Sequence, residues 1–336
     1  MRGRHEKGRQ FVAALHGLRG LAVLYVVVSH IGNSGARLFP LPHDAIGKVG
    51  VWIFFGLSAF LLTTGLRSEL TRLPRTTAIA RYAVHRVFRI YPLYLVVLAI
   101  HWMIGDIDGA ALLRHVALVE GHRELWAIPV EFQYYLVVPL IAVLSRRMAI
   151  AVLSAGLLAS AAYAGVRPDA VFSNGLLIVP KAAPFLIASL LLFVRPPSTW
   201  AAPIGWGALV LLLACTVAFR HLGIIRALSP AAPWLSIAIS IAVAGLIHAL
   251  RQPGRLTAVF SAAPLVWIGE ISFSLYLLHL FVIRAVFRWG LDPTLAGWVA
   301  FALSVALAAC TYRLIEKPGI EAGRRLGRRW QPALAP

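Results

Sequence analysis

A chain of 336 residues that is 60% hydrophobic and only 13% charged, with a mean hydropathy of +0.79, is not built for water, since a soluble globular domain is roughly half apolar and a quarter charged. Its net charge of +19 invites a nucleic-acid reading, but Lys and Arg are dispersed over short loops and helix ends, where membrane topology and anionic headgroups account for them. Composition therefore excludes a soluble enzyme and argues against a nucleic-acid partner.

Apolar runs of the length that crosses about 30 Å of hydrocarbon recur at 13–32, 49–66, 90–105, 125–144, 148–165, 176–194, 201–219, 232–250, 264–285 and 294–316. They predict an all-α, polytopic membrane bundle of about ten helices, forming one domain with no appended soluble domain. The first run is too long for the core of a signal peptide and no small-residue cleavage site follows it, so it is expected to stay as an anchor. The second lacks charge, the fourth carries Glu131 and is open to a re-entrant reading, and the ninth carries Glu270 and His279. With the N-terminus inside, 21 of the 32 Lys and Arg residues fall on inner segments, Arg195 among them, and ten on outer ones, Arg226 among them, with Arg19 inside the first helix. That bias predicts two cytoplasmic termini and an even number of spans. Cys215 and Cys310 fall inside predicted spans, so no disulfide is expected of them. Arg324, Arg325, Arg328 and Arg329 after the last span predict a headgroup-facing amphipathic segment.

Ionisable groups at bilayer depth are costly and normally face the bundle interior or an aqueous cavity. Arg19 and His30 stand eleven residues apart in the first helix, about three turns, so they share one face and lie about 16 Å apart along the axis. The plainer reading has Arg19 snorkelling to the inner surface and His30 ending the helix. Arg86 and Arg89, three apart before Tyr91-Pro92, fork from one helical face and suit phosphate oxygens, or they are simply positive anchors at a membrane entry. Trp126, Glu131, Gln133 and Tyr135 place an acid, an amide and aromatic rings within one apolar stretch. Glu131 there can orient a histidine, bind sugar hydroxyls, or pair with a buried Arg. His279 closes Ser272-Phe273-Ser274-Leu275-Tyr276-Leu277-Leu278-His279, where a satisfied core histidine is the commoner outcome.

In this order the segments resemble the integral-membrane acyltransferase 3 family of bacterial O-acyltransferases, from about Phe11 to Pro318. The resemblance rests on Gly17-Leu18-Arg19-Gly20-Leu21-Ala22 with its His30 partner, Phe54-Phe55 followed by Ser58 and Phe60-Leu61, and Arg86 with Arg89 before Tyr91-Pro92. It continues with Trp126 through Glu131, Gln133 and Tyr135, the segment ending at Tyr276 and His279, and Ile315-Glu316-Lys317-Pro318. Departures are His16 where many relatives have Asp, Ala59 where Gly is usual, and Ala127 with Pro129 where Ser or Thr and a non-proline residue are common. Pro129 predicts a kink or a helix start.

The resemblance implies a multi-pass enzyme of the bacterial inner membrane that transfers an acyl group, most often acetyl from acetyl-CoA, to a hydroxyl of a cell-surface or lipid-linked glycan. It implies His30 as the catalytic base, with Glu131 orienting it or engaging the acceptor, and Arg19, Arg86 and Arg89 holding the donor's phosphates. Ser58, Trp126, Gln133, Tyr135, Tyr276 and His279 are implied at the acceptor site or pocket. No bound cofactor or metal is expected; acyl-CoA is a co-substrate. A transporter or flippase of a lipid-linked glycan, or a non-enzymatic scaffold, would use a similar bundle and leave the glycan covalently unchanged.

Overall fold

The computed structural model describes residues 2–39, 46–194, 198–225 and 230–330, so Arg195 and Arg226 lie outside the described residues. In chain order the helices are α1 (Arg2–Asn33), α2 (Gly47–Leu70), α3 (Arg75–Met103), α4 (Gly109–Val116), α5 (Ala127–Val143), α6 (Arg146–Val166), α7 (Pro168–Val171) and α8 (Ala183–Phe193). They continue as α9 (Ala201–Ile225), α10 (Ala232–Ala249), α11 (Arg255–Phe260), α12 (Ala263–Glu270), α13 (Ser272–Phe287), α14 (Pro293–Thr311) and α15 (Lys317–Arg328). Among the described residues, eight helical stretches are long and apolar enough to cross a membrane. The bent pair α12–α13 makes a ninth if taken as one broken span, and α8 is a shorter apolar helix. The chain is thus an all-α, polytopic membrane bundle.

Local chemistry sets the helix ends. Asp108 accepts from the Ala111 amide (2.6 Å) to start α4, Ser145 from the Met148 amide (3.4 Å) to start α6, and Asp292 from the Thr294 and Leu295 amides (2.9 and 3.1 Å) to start α14, each satisfying an amide the helix leaves orphaned. Gly105, at φ +76, follows α3 in a backbone conformation that favours glycine. α2 and α10 sit at the centre of the bundle, while α6, α9 and α14 line its rim and turn Leu158, Val210 and Leu303 outward. In a bilayer such exposed apolar side chains meet lipid tails at no hydrophobic cost.

The apolar runs differ from the folded elements in three instructive places. α3 starts at Arg75, well before the apolar stretch, so Arg86 and Arg89 are on a helix. The run at 176–194 condenses into α8 after a 3-10 turn, Val179–Lys181, where Pro180 and Pro184 interrupt the ladder. The run at 264–285 breaks at Ile271, with α12 and α13 bent by 75°. α1 packs along α11 and α12 so closely that added methyl groups have no room: a Cβ on Gly17 would strike the Phe260 carbonyl at the end of α11, and one on Gly269 in α12 the His16 carbonyl. This small-residue contact locks Arg19 between backbones that touch on either side of it. A single π-turn, Tyr312–Glu316, interrupts the helix running from α14 into α15, and it turns the buried Glu316 inward just before Pro318.

Candidate active site

The unbroken α1 carries both Arg19 and His30, and each opens onto a chamber. The Arg19 chamber is small, about 50 Å³, and its polar lining is Arg19, Ser58, Glu131, Ser272 and Tyr276. Arg19 reaches Ser272 Oγ through Nε and Nη2, both at 3.4 Å, and stands over the Phe54 ring at 6.0 Å. Ser58 donates its hydroxyl to Glu131 Oε1. The bend at Ile271 is what lets Ser272, the first residue of α13, face Arg19.

The His30 chamber is larger, about 520 Å³, and adds Lys48, Glu124, Trp126, Asn174 and Arg284 from four other parts of the chain. Val51 and Tyr276 line both chambers and so form the wall between them. The Tyr276 hydroxyl donates to the Glu124 carbonyl at 2.7 Å. His279, fully buried, lies beside His30 with ring centroids 5.1 Å apart. Its Nδ1 meets the Tyr276 and Leu275 carbonyls at 2.7 and 3.2 Å, which assigns the proton to Nδ1 and leaves the buried Nε2 without a partner. Lys48 lies 3.7 Å above the Trp126 ring and donates to Asn174 Oδ1 at 2.5 Å. Lys181 also lies over that ring, 5.8 Å from its centroid.

Behind the chamber a polar network fixes Arg284. Asp106 Oδ2 accepts from Arg284 Nη1 (2.9 Å) and His101 Nδ1 (3.0 Å). Burial would raise this carboxyl, but those hydrogen bonds and the Arg284 and Arg123 charges hold it below the ordinary carboxylate range. His101, Asp106 and His122 bring ligand-type atoms within 4.8 Å of one another. Two guanidinium groups, Arg284 and Arg123, already attend the Asp106 carboxylate, so the cluster reads as an ion-pair network. Next to it Glu124 is 4% exposed, and both of its carboxylate oxygens are buried with no hydrogen-bond partner. Arg123 just before it holds φ +48, strained for a residue with a side chain.

On the third face, Arg89 pairs with buried Glu316, which also accepts from Ser274 Oγ at 2.6 Å. Arg81, His85 and Arg86 each keep a buried nitrogen with no hydrogen-bond partner. Gln133 is committed elsewhere: it donates to the Leu176 carbonyl (2.6 Å) and accepts from the Ile178 amide (3.3 Å), stapling α5 to the segment before α8. Tyr135 is buried in the same helix, and its carbonyl accepts from Tyr82 at 3.1 Å. The structure therefore gathers Arg19, Ser58, Glu131 and Tyr276 in one chamber and His30, Trp126 and Tyr276 in the next. It separates Glu131 from His30 and keeps Gln133 outside both. Lys48, Glu124, Asn174 and Arg284 were not singled out from sequence, where the three charged ones look like ordinary loop charges.

An acyltransferase-domain family model matches residues 12–313, and the chain belongs to that family. It is a membrane-bound acyltransferase. A protein of Acidianus two-tailed virus provisionally named an acetyltransferase is 26% identical, with 88% of this chain and 87% of that protein aligned. A Staphylococcus aureus (strain COL) protein provisionally named an O-acetyltransferase is 25% identical over 98% of this chain. The O-acetyltransferase OatA of Staphylococcus aureus (strain NCTC 8325 / PS 47) is 22% identical over 92%. The chain spans 60% and 57% of the length of these two staphylococcal proteins. No solved structure matches it.

Proposed function

We propose that the chain transfers an acetyl group from acetyl-CoA to a hydroxyl of a cell-surface or lipid-linked glycan at the outer face of the bacterial inner membrane. The observation that carries this reading is the placing of Arg19 and His30 on one face of one helix, in two chambers that share a wall. With both termini cytoplasmic, the Arg19 end faces the donor and the His30 end the acceptor. His85 and Arg86, with unpartnered nitrogens at the inner mouth, suit the phosphates of CoA, and Arg81 adds a second guanidinium there while also pairing with Glu69 at 3.7 Å. Arg89 remains near them but is already tied to Glu316. Glu131 sits opposite Arg19 and balances its charge, a role that fits its chamber better than orienting His30.

In the reaction His30 takes the proton of the acceptor hydroxyl as its oxygen attacks the thioester carbonyl. The C–O bond forms, the C–S bond breaks, and the leaving thiolate of CoA takes that proton from the His30 imidazolium. Until then the bare Nε2 of the adjacent His279 ring can steady the His30 imidazolium as a hydrogen-bond acceptor.

The test is His30→Ala. The variant should reach the membrane at wild-type levels and leave envelope glycans lacking the mass of one acetyl group, read by mass spectrometry. Undiminished acetylation would remove His30 from the chemistry. A transporter would move glycan with no change of mass, so the same spectra separate the two classes.

A further inference from the structure

On the opposite face of α1 from Arg19 and His30 lies an apolar groove of about 860 Å³, walled by α1, α9 and α14. From Leu213 to His221 it follows α9 for about 12 Å at 1.5 Å per residue, half the depth of a bilayer core. Inside it the Tyr25 hydroxyl and Thr216 Oγ1 satisfy each other at 3.1 Å, so a tail lying over them would not strand either hydroxyl. Its lining turns cationic only at one end, where Arg220 and His221 stand. Trp298, packed edge-to-face on Phe39 at 5.9 Å, borders the same groove and marks headgroup level, where tryptophan collects.

The groove and the His30 chamber are back to back. Val28 lines the groove while Ser29 and His30 line the chamber; Ile46 lines the groove while Gly47 and Lys48 line the chamber. One helix, roughly 10 Å thick, divides them.

We infer that this groove holds the lipid of a polyisoprenyl-phosphate-linked glycan, with its phosphate at Arg220 and His221 and its saccharide carried over the end of α1 into the His30 chamber. The inference rests on the transferase reading above. A phospholipid would fill the apolar part equally well, but its headgroup ends at phosphate level and has nothing to send a helix's width further. The same spacing sets the acetylated position: a sugar beyond the one bonded to phosphate.

The test uses the full chain in detergent micelles with farnesyl phosphate as probe, read by native mass spectrometry. Farnesyl phosphate should be retained, and farnesol at least about tenfold less, as loss of a charge-assisted contact implies. Val217→Trp, which fills the groove from a lipid-facing position, and Arg220→Gln should each lower retention by a similar factor. Equal retention of farnesol, equal competition by phosphatidylglycerol, or full retention by Val217→Trp overturns the inference. In cells Val217→Trp should reduce acetylation of the lipid-linked glycan, whereas His30→Ala abolishes it yet still retains farnesyl phosphate. Acetylation that survives His30→Ala sinks the transferase reading but not the lipid site. Acetylation unchanged by a Val217→Trp protein that has lost the probe sinks the groove as acceptor site alone.

Discussion

Glu316 is the place where a small change should cost most. Its side chain is fully buried, it pairs with Arg89, whose side chain is 18% exposed, and it accepts from Ser274 at 2.6 Å. Glu316→Gln keeps the shape and removes the charge, so Arg89 loses its counter-ion. Breaking a buried pair from one side costs roughly 3–5 kcal/mol, and the partial exposure of Arg89 puts this case near the lower end, about 3 kcal/mol. Unfolding by SDS titration in mixed micelles, followed by tryptophan fluorescence, measures it. A cycle with Arg89→Leu and Glu316→Leu should return a coupling of at least about 1 kcal/mol. A Glu316→Gln protein within about 0.5 kcal/mol of wild type, or additive single mutants, would refute the buried tie. The contrast with its neighbour is informative: Arg86→Gln should leave unfolding unchanged and raise the KM for acetyl-CoA.

Gly269→Ala drives a methyl into the His16 carbonyl and should destabilise by about 1–3 kcal/mol or more, with transfer lost as Ser272 shifts from Arg19. Gly65→Ala, with open space around it, should be neutral or slightly stabilising in the same SDS titration. Equal stabilities would contradict the close α1–α12 contact. Glu124→Gln removes a buried carboxylate that has no partner, so the melting temperature should rise while acetyl transfer falls, as at a site that trades stability for function; a rise with unaltered transfer would make Glu124 merely a structural fault. His115, fully buried with both ring nitrogens unpartnered, is held below the ordinary imidazole range by burial and by the His122 and Arg114 charges, against the pull of Glu120. Below about pH 6.5 the folded form then binds fewer protons than the unfolded one, so stability of the 104–122 segment falls as pH falls. Hydrogen exchange there should quicken in mild acid and lose that dependence in His115→Gln; exchange indifferent to pH in the native protein would count against it.

Apolar runs were enough to read the bundle, because in lipid every spanning backbone must close its own hydrogen bonds as helix. The polar start of α3 escaped, since nothing apolar announces Arg75 to Arg89, and the break at Ile271 was hidden inside a run that stays apolar through both halves. The shared face of Arg19 and His30 followed from helical periodicity alone. Glu124, Lys48, Asn174 and Arg284 did not, because they meet only through tertiary packing of segments at least fifty residues apart. The one local sign was an acid immediately before Leu125-Trp126, at the mouth of a span. Gln133 shows the opposite limit: a polar residue inside a motif whose hydrogen bonds go to backbone carbonyl and amide groups and not to a ligand.

The shared wall of Val51 and Tyr276 has an electrical consequence. In the proposed orientation the Arg19 chamber lies on the cytoplasmic side of that partition and the His30 chamber on the outer side, so a share of the membrane voltage falls across it. Moving one elementary charge through it changes the energy by about 2.3 kcal/mol per 100 mV. A thioester carries no charge and is indifferent to that field, whereas a potential negative inside draws anions outward, so in this reading the inner arginines, and not the voltage, keep the donor's phosphates behind.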